Sequence, residues 1–127
     1  GLLGVSGVSS DCRDVVEAAE EGNKRAQLAF NMLVYQVKKL LGSYVAALGG
    51  VDVIVFTAGQ GENGPETREA ICKGMEFFGI QIDPEKNNVR GQDADISADG
   101  ARVKTLVITT NEELMIARET LAIVENL

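Results

Sequence analysis

The sequence contains no histidine, only two cysteines and no long hydrophobic run. Because histidine is the commonest general base, any chemistry must use carboxylates, arginine or a metal ion. Cys12 and Cys72 form neither a CxxC motif nor a Cys/His cluster, which argues against a structural zinc site. No stretch resembles a secretory signal or a segment long enough to cross a bilayer. We therefore expect a cytoplasmic protein with reduced thiols.

Basic residues are also scarce, since 12 lysines and arginines stand against 19 acidic residues and the formal net charge is −7. Without a basic patch, we expect neither nucleic acid nor an acidic membrane as a partner. An anionic ligand remains compatible with this charge, because backbone N–H groups, an arginine or a metal can hold it locally. The length of 127 residues is that of one domain with a core of moderate size.

Strand and helix patterns alternate along the chain, which predicts an α/β fold in a single domain over residues 1–127. The apolar runs 53–56 and 103–109 predict strands, the first of them buried on both faces as in a parallel sheet. Caps, glycine stops and apolar periodicity predict helices over 11–21, 23–48, 65–78 and 111–126. Short extended pieces are predicted at 80–82 and near Ile96, and residues 1–7 are expected to form a loop or a short strand.

The helix predicted over 23–48 carries so wide an apolar stripe that little polar face remains. A helix that is apolar on most sides is usually buried on most sides. In a chain of this size, we expect this helix to contact a second subunit or a further part of the protein. The chain starts at Gly1 without an initiator methionine, so we expect it to be processed or cut from something longer.

A glycine-rich turn is predicted directly after the first strand. In open α/β sheets, ligands bind at the carboxyl ends of strands, where a loop meets a helix N-terminus. Gly59, Gly61 and Gly64 match the dinucleotide fingerprint, and Asp83 follows roughly where a ribose-binding acid belongs. These four residues therefore predict one alternative, a dinucleotide-binding module.

Two residues of the same stretch weaken that alternative. Glu62 lies in the turn, where its charge repels a pyrophosphate unless it points away. Pro65 suits the first helical position but removes one N–H from the place where phosphates are held. A purely structural strand-to-helix turn is an equally good interpretation.

Two further polar groups lie at predicted helix starts. Segment 9–14 supplies helix N-cap residues, and the planar guanidinium of Arg13 suits either a phosphate or a local salt bridge. Thr110 and Glu113 predict a capping box, which leaves the neighbouring Glu112 without a structural role. Glu112 lies at a strand end on the same sheet edge as the glycine turn. It is either a Mg²⁺ ligand or an exposed acid favoured by the helix dipole.

Three segments in this order and spacing form a more specific pattern: residues 6–14 (SGVSSDCRD), 51–63 (VDVIVFTAGQGEN) and 110–113 (TNEE). Together they resemble the C-terminal part of acetate kinases, and the resemblance extends over the whole chain. The FTAG-x-GEN string is specific to this family and its close relatives. The departures are small: position 12, usually a larger apolar residue, is Cys, and position 60, often Ile, is Gln.

The resemblance implies the mostly parallel, ribonuclease H-like fold of the acetate and sugar kinase, Hsc70 and actin superfamily. It implies a homodimeric enzyme that transfers phosphate reversibly between ATP and acetate, with ATP/ADP and Mg²⁺ as cofactors. The phosphoryl-transfer residues and the acetate pocket of the family lie upstream of the matched region, so no catalytic residue is expected here. Propionate and butyrate kinases share these motifs to differing degrees, which leaves the short-chain carboxylate open.

The resemblance also implies roles for individual residues. Glu112 matches the acid associated with Mg²⁺. The residues that match nucleotide-contacting positions are Asp11, Cys12, Arg13, Gly59, Gln60, Gly61, Glu62 and Asn63. The sequence assigns no role to Arg68. An alternative from a different class is a non-catalytic interaction module that uses helix 23–48 as a dimer surface.

Overall fold

The structure, a computed structural model, describes residues 1–126 and contains a three-stranded sheet flanked by helices. Strand β1 (Val53–Phe56) runs parallel to β3 (Lys104–Val107), and β2 (Ala94–Asp95) pairs antiparallel with the other edge of β3. The predicted α/β class is confirmed. The parallel pair, β1 with β3, carries the candidate functional site.

The helices along residues 1–126 are α1 (Leu2–Ser6), α2 (Cys12–Glu20), α3 (Lys24–Leu48), α4 (Ala58–Asn63), α5 (Pro65–Cys72), α6 (Pro84–Asn87) and α7 (Glu112–Val124). A 3₁₀ turn covers Glu76–Phe78. The side chains of Asp11 and Asn23 cap α2 and α3 by accepting backbone N–H groups. Asp11 lies in the segment that the sequence predicted to supply the N-cap.

Apart from the glycine-rich segment, two predicted elements differ clearly from the structure. The first residues form α1 instead of a loop, because Leu2 and Val5 pack against the core beside α3, and Gly7 ends the helix with a left-handed φ of 69°. The helix predicted over 65–78 ends at Cys72. Gly74 adopts a φ of 81°, which breaks the helical path before the 3₁₀ turn.

Two buried clusters form the core. One lies between the sheet and α5 and contains Ile54, Cys72, Met75, Ile80 and Val103. The other packs α2 on α3 and contains Val15, Ala26 and Ala29. The first cluster fixes the position of β1 and β3, whose carboxyl ends carry the candidate site.

Several apolar surfaces remain exposed. The prediction that β1 is buried on both faces is wrong for this chain, because Val53 and Val55 are each 46% exposed. The apolar stripe of α3 is likewise only partly covered: Leu28, Met32, Tyr35, Leu40, Tyr44 and Leu48 are exposed. Helix α7 is exposed along its whole length. Within residues 1–126, no helix combines the length and the apolar character needed to cross a membrane.

Candidate nucleotide and metal site

The candidate site lies where β1 and β3 end. Because the two strands are parallel, their carboxyl ends share one edge of the sheet, and α4 and α7 begin just beyond it. A cleft of about 290 Å³ separates Ala58 and Gly59 on one side from Thr110–Glu113 on the other. The structure thus brings together Gly59 and Glu112, which are 53 positions apart in the sequence.

The glycine-rich segment is a short helix, α4, and not the predicted turn. The chain enters it through Ala58, whose φ of 57° is a left-handed conformation that costs a non-glycine residue about 1–3 kcal/mol. Gly61 lies against the end of β1, where an added Cβ would come within 3.0 Å of the Phe56 carbonyl carbon. Gly59 faces open space, with nothing within 4 Å of an added Cβ. The glycine at 61 therefore serves packing, whereas the glycine at 59 leaves the backbone accessible.

Glu62 is buried and links the two sides of the cleft. Its Oε1 accepts hydrogen bonds from the backbone N–H of Ala58 (2.8 Å), the backbone N–H of Thr110 (2.8 Å) and the Thr110 hydroxyl (2.8 Å). The bonds from Thr110 and then from Ala58 hold the pKa of this carboxyl below its ordinary value. Sequence reasoning treated Glu62 as a charge in a ligand-facing turn and missed this contact across 48 positions of sequence.

Arg68 is the other residue that fixes α4, and the sequence assigned it no role. The side chain is fully buried on α5. Its Nη1 donates to the carbonyl oxygens of Gly61 (2.7 Å) and Glu62 (3.1 Å) in the last turn of α4. Its Nε and Nη2 donate to Asn87 and to the Val89 carbonyl. All five acceptors are uncharged oxygens, and burial lowers the pKa of the guanidinium.

Asp11 and Arg13 form a local pair at the start of α2. The Asp11 carboxylate accepts from the Arg13 backbone N–H (2.9 Å) and from its Nε (3.1 Å) and Nη2 (2.6 Å). The Arg13 side chain stays 83% exposed, so the outer face of its guanidinium is accessible. Cys12 is buried, and burial, followed by the charges of Asp11 and Glu66, raises the pKa of its thiol.

The Asp11–Arg13 pair predicts a pH effect. The Arg13 side chain, more than its backbone N–H, lowers the pKa of Asp11 from 3.8 to about 2. The contribution of the ionised Asp11 carboxylate to folding stability is therefore complete above about pH 4 and is lost as the pH falls towards 2. In Arg13→Met, we expect the Asp11 carboxyl resonance, followed by NMR, to titrate closer to 3.8. An unchanged midpoint would show that the pair does not persist in solution.

The remaining residues of α4 are held mainly by their own neighbours. The Asn63 amide donates to the Gly59 carbonyl (3.1 Å), and the Asn63 carbonyl accepts from Arg90. The Gln60 side chain is exposed and accepts a long hydrogen bond from Thr67 (3.4 Å). Gln60 also borders an apolar cleft of about 350 Å³ between α3 and β1.

Glu112 occupies the first turn of α7. The predicted capping box is wrong, because Asn111 caps this helix by accepting the Leu114 N–H (3.0 Å), while Thr110 binds Glu62. The Glu112 side chain is exposed at the cleft, and within the described residues no hydrogen bond holds it. Residues 1–126 contain no group of three or more histidine, cysteine or acidic residues arranged to hold a metal. A single accessible carboxylate fits Mg²⁺, which is often bound through one or two carboxylates together with substrate phosphates.

Asp83 has a structural role, which argues against the dinucleotide alternative. Its carboxylate caps α6 by accepting the N–H groups of Glu85 (2.8 Å) and Lys86 (3.0 Å). The dinucleotide fingerprint also requires a tight turn after the strand. Here Gly59 and Gly61 lie in the helix α4, and Gly64 lies at the junction of α4 with α5. At that junction, an added Cβ on Gly64 would lie 2.8 Å from the Gln60 carbonyl oxygen, so this glycine also serves packing.

Comparison with known proteins gives consistent matches. Residues 1–118 match the model of the acetokinase family. The chain is 61% identical over 125 residues to acetate kinase of Moorella thermoacetica, covering 98% of this chain and 32% of that protein. Among solved structures, Porphyromonas gingivalis acetate kinase aligns with a TM-score of 0.87 and 50% identity over 98% of this chain and 31% of its own. A propionate kinase from Francisella tularensis aligns with a TM-score of 0.82 and 37% identity. This alignment covers 94% of this chain and 30% of the propionate kinase. The chain thus spans about a third of the length of these relatives.

Proposed function

The chain belongs to the acetokinase family, and we propose that it forms the nucleotide-binding portion of an acetate kinase. The reaction is reversible phosphoryl transfer between ATP and acetate, in a cytoplasmic homodimer. The cleft between Gly59 and Glu112 carries this proposal, because it joins an accessible backbone and a free carboxylate at one sheet edge. Acetate is favoured over propionate or butyrate because the chain resembles named acetate kinases at about 60% identity.

The proposed nucleotide contacts fall into two groups. Asp11, Cys12 and Arg13 form the first, and the exposed guanidinium of Arg13 supplies a planar surface for the nucleotide. The second is Gly59–Asn63, the same segment that includes Gln60, Gly61 and Glu62. Cys12 and Glu62 contribute through their backbone, since the first side chain is buried and the second is bonded to Thr110.

Glu112 is the proposed metal ligand. Mg²⁺, when bound, neutralises phosphate charge during the transfer. The Glu112 carboxylate would hold it at the cleft, directly or through water, beside the backbone at Gly59. Positioning and charge neutralisation account for most of the catalysis in phosphoryl transfer. In this proposal, the chain orients the nucleotide, and the residues that act on the transferred group belong to the rest of the enzyme.

The test is a substitution of Glu112 in a full-length family member that carries this sequence. We expect Glu112→Gln to raise the Mg²⁺ concentration for half-maximal activity at least tenfold, with an unchanged unfolding midpoint because the side chain is exposed. Glu113→Gln is the matched control, since it removes a charge from the same helical turn. Equal effects of the two substitutions would contradict the assignment of Glu112. Calorimetry with MgADP and with NAD separates the nucleotide classes, and binding of NAD alone would overturn the kinase proposal.

A further inference from the structure

A single oxygen atom of Glu62 accepts hydrogen bonds from both sides of the cleft. Its Oε1 accepts from Ala58, which precedes Gly59, and twice from Thr110, which lies two positions before Glu112. We call these three contacts the Glu62 bridge. Hydrogen bonds to a charged acceptor are roughly twice as strong as neutral ones, so the bridge is a strong connection between the two strand ends.

We propose that Glu62 is a positioning residue that fixes the nucleotide-binding backbone at Gly59 relative to the carboxylate of Glu112. This inference rests on the proposed function of the cleft. Glu62 need not touch the nucleotide in this role. It acts by holding Ala58 in its left-handed conformation and by keeping Thr110 against the start of α4.

The neighbouring Thr109 offers a close comparison. Its N–H and hydroxyl donate to the Asp93 carboxylate at 2.8 and 2.7 Å, the same pair of contacts that Thr110 makes with Glu62. Asp93 lies just before β2, however, and makes no contact with α4 among the hydrogen bonds of the described residues. The Asp93 contact anchors the end of β3 to β2. The N–H of Ile108 donates to the Phe56 carbonyl (2.9 Å) and joins β3 to β1, and the Glu62 bridge extends this connection from Thr110 to the start of α4.

The bridge makes a specific prediction for Thr110 in a full-length family member carrying this sequence. Thr110→Val removes the hydroxyl donor and keeps the backbone one, whereas Thr110→Ser keeps both. We expect Thr110→Val to raise the KM for MgATP and the Mg²⁺ requirement together, each about tenfold, as for loss of one hydrogen bond to a charged group. Thr110→Ser should restore both values. Because this hydrogen bond also exists in the free protein, Thr110→Val should lower the unfolding midpoint slightly, and Thr110→Ser should restore the parental midpoint.

A double-mutant cycle with Glu62→Gln separates positioning from direct ligand contact. If Glu62 acts through Thr110, the double variant Glu62→Gln/Thr110→Val should be no worse than Glu62→Gln alone. In the control pair, Glu62→Gln with Thr109→Val, the fold-changes in KM of the two single variants should multiply. Multiplied effects in the Thr110 pair, or a Thr110→Val variant with parental KM, would overturn the inference while leaving the proposed function intact. A parent protein that binds no nucleotide would refute the proposed function, and the inference with it.

Discussion

Replacing Arg68 with methionine is expected to lower the free energy of unfolding by about 3–5 kcal/mol, one of the largest effects available in this chain. Methionine fills part of the space but donates nothing. The carbonyl oxygens of Gly61 and Val89 and the side-chain oxygen of Asn87 then lose a donor within a buried region. The Glu62 and Asn87 carbonyls keep a second donor in the N–H groups of Gly91 and Val89. An acceptor left unpaired in the interior costs about 1–3 kcal/mol, although water reaching some of them reduces the sum.

Arg68→Lys distinguishes the charge from the geometry. Lysine keeps the positive charge but has three donors on one nitrogen, so it cannot reach both the α4 carbonyls and the Val89 carbonyl as the guanidinium fork does. We expect a loss close to that of Arg68→Met in urea unfolding. Arg118→Met on the exposed α7 is the control and should leave the midpoint unchanged. A loss below about 1 kcal/mol for Arg68→Met would mean that water replaces the guanidinium.

The parts of the fold that local patterns determine were predictable. Asp11 and Asn23 accept the backbone N–H groups that an N-cap must accept, and these contacts span two or three positions. The apolar runs of β1 and β3 likewise appear where the sequence indicated them. Because both strands were expected to end at one sheet edge, the proximity of Gly59 and Glu112 could also be predicted.

The parts that depend on specific side-chain contacts, near or far along the chain, could not be predicted. Local preference favours a turn for the glycine-rich segment, but Arg68 pairs the last carbonyls of α4 and Glu62 pairs its first N–H, which stabilises a helix. The capping box failed for the same reason. The Thr110 hydroxyl donates to Glu62, a residue 48 positions away, so Asn111 takes over the cap. The burial expected for both faces of β1 failed because apolar sequence requires a covering surface, and the 126 described residues do not supply one. The exposed stripe of α3 also has no cover here, and its contact with a second subunit or a further part of the protein stays a prediction.

Two glycine-to-alanine substitutions in α4 should have opposite effects on stability. At Gly61, the new methyl group would lie 3.0 Å from the Phe56 carbonyl carbon, a backbone atom that cannot move independently of β1. We expect Gly61→Ala to cost about 1–3 kcal/mol of stability through this overpacking. At Gly59, the methyl group meets open space, and alanine favours the helix over glycine by about 0.5–1 kcal/mol.

Gly59→Ala should therefore fold at least as well as the parent protein and yet bind nucleotide at least tenfold more weakly. The reason is that the methyl group projects into the space through which the ligand approaches the backbone. Thermal unfolding and calorimetric titration with MgADP, made on the same full-length preparations carrying this sequence, measure the two effects independently. An unchanged affinity in Gly59→Ala would place the nucleotide away from this backbone and contradict the proposed site. A loss of affinity in a fully stable protein supports it, because no folding defect can then account for the loss.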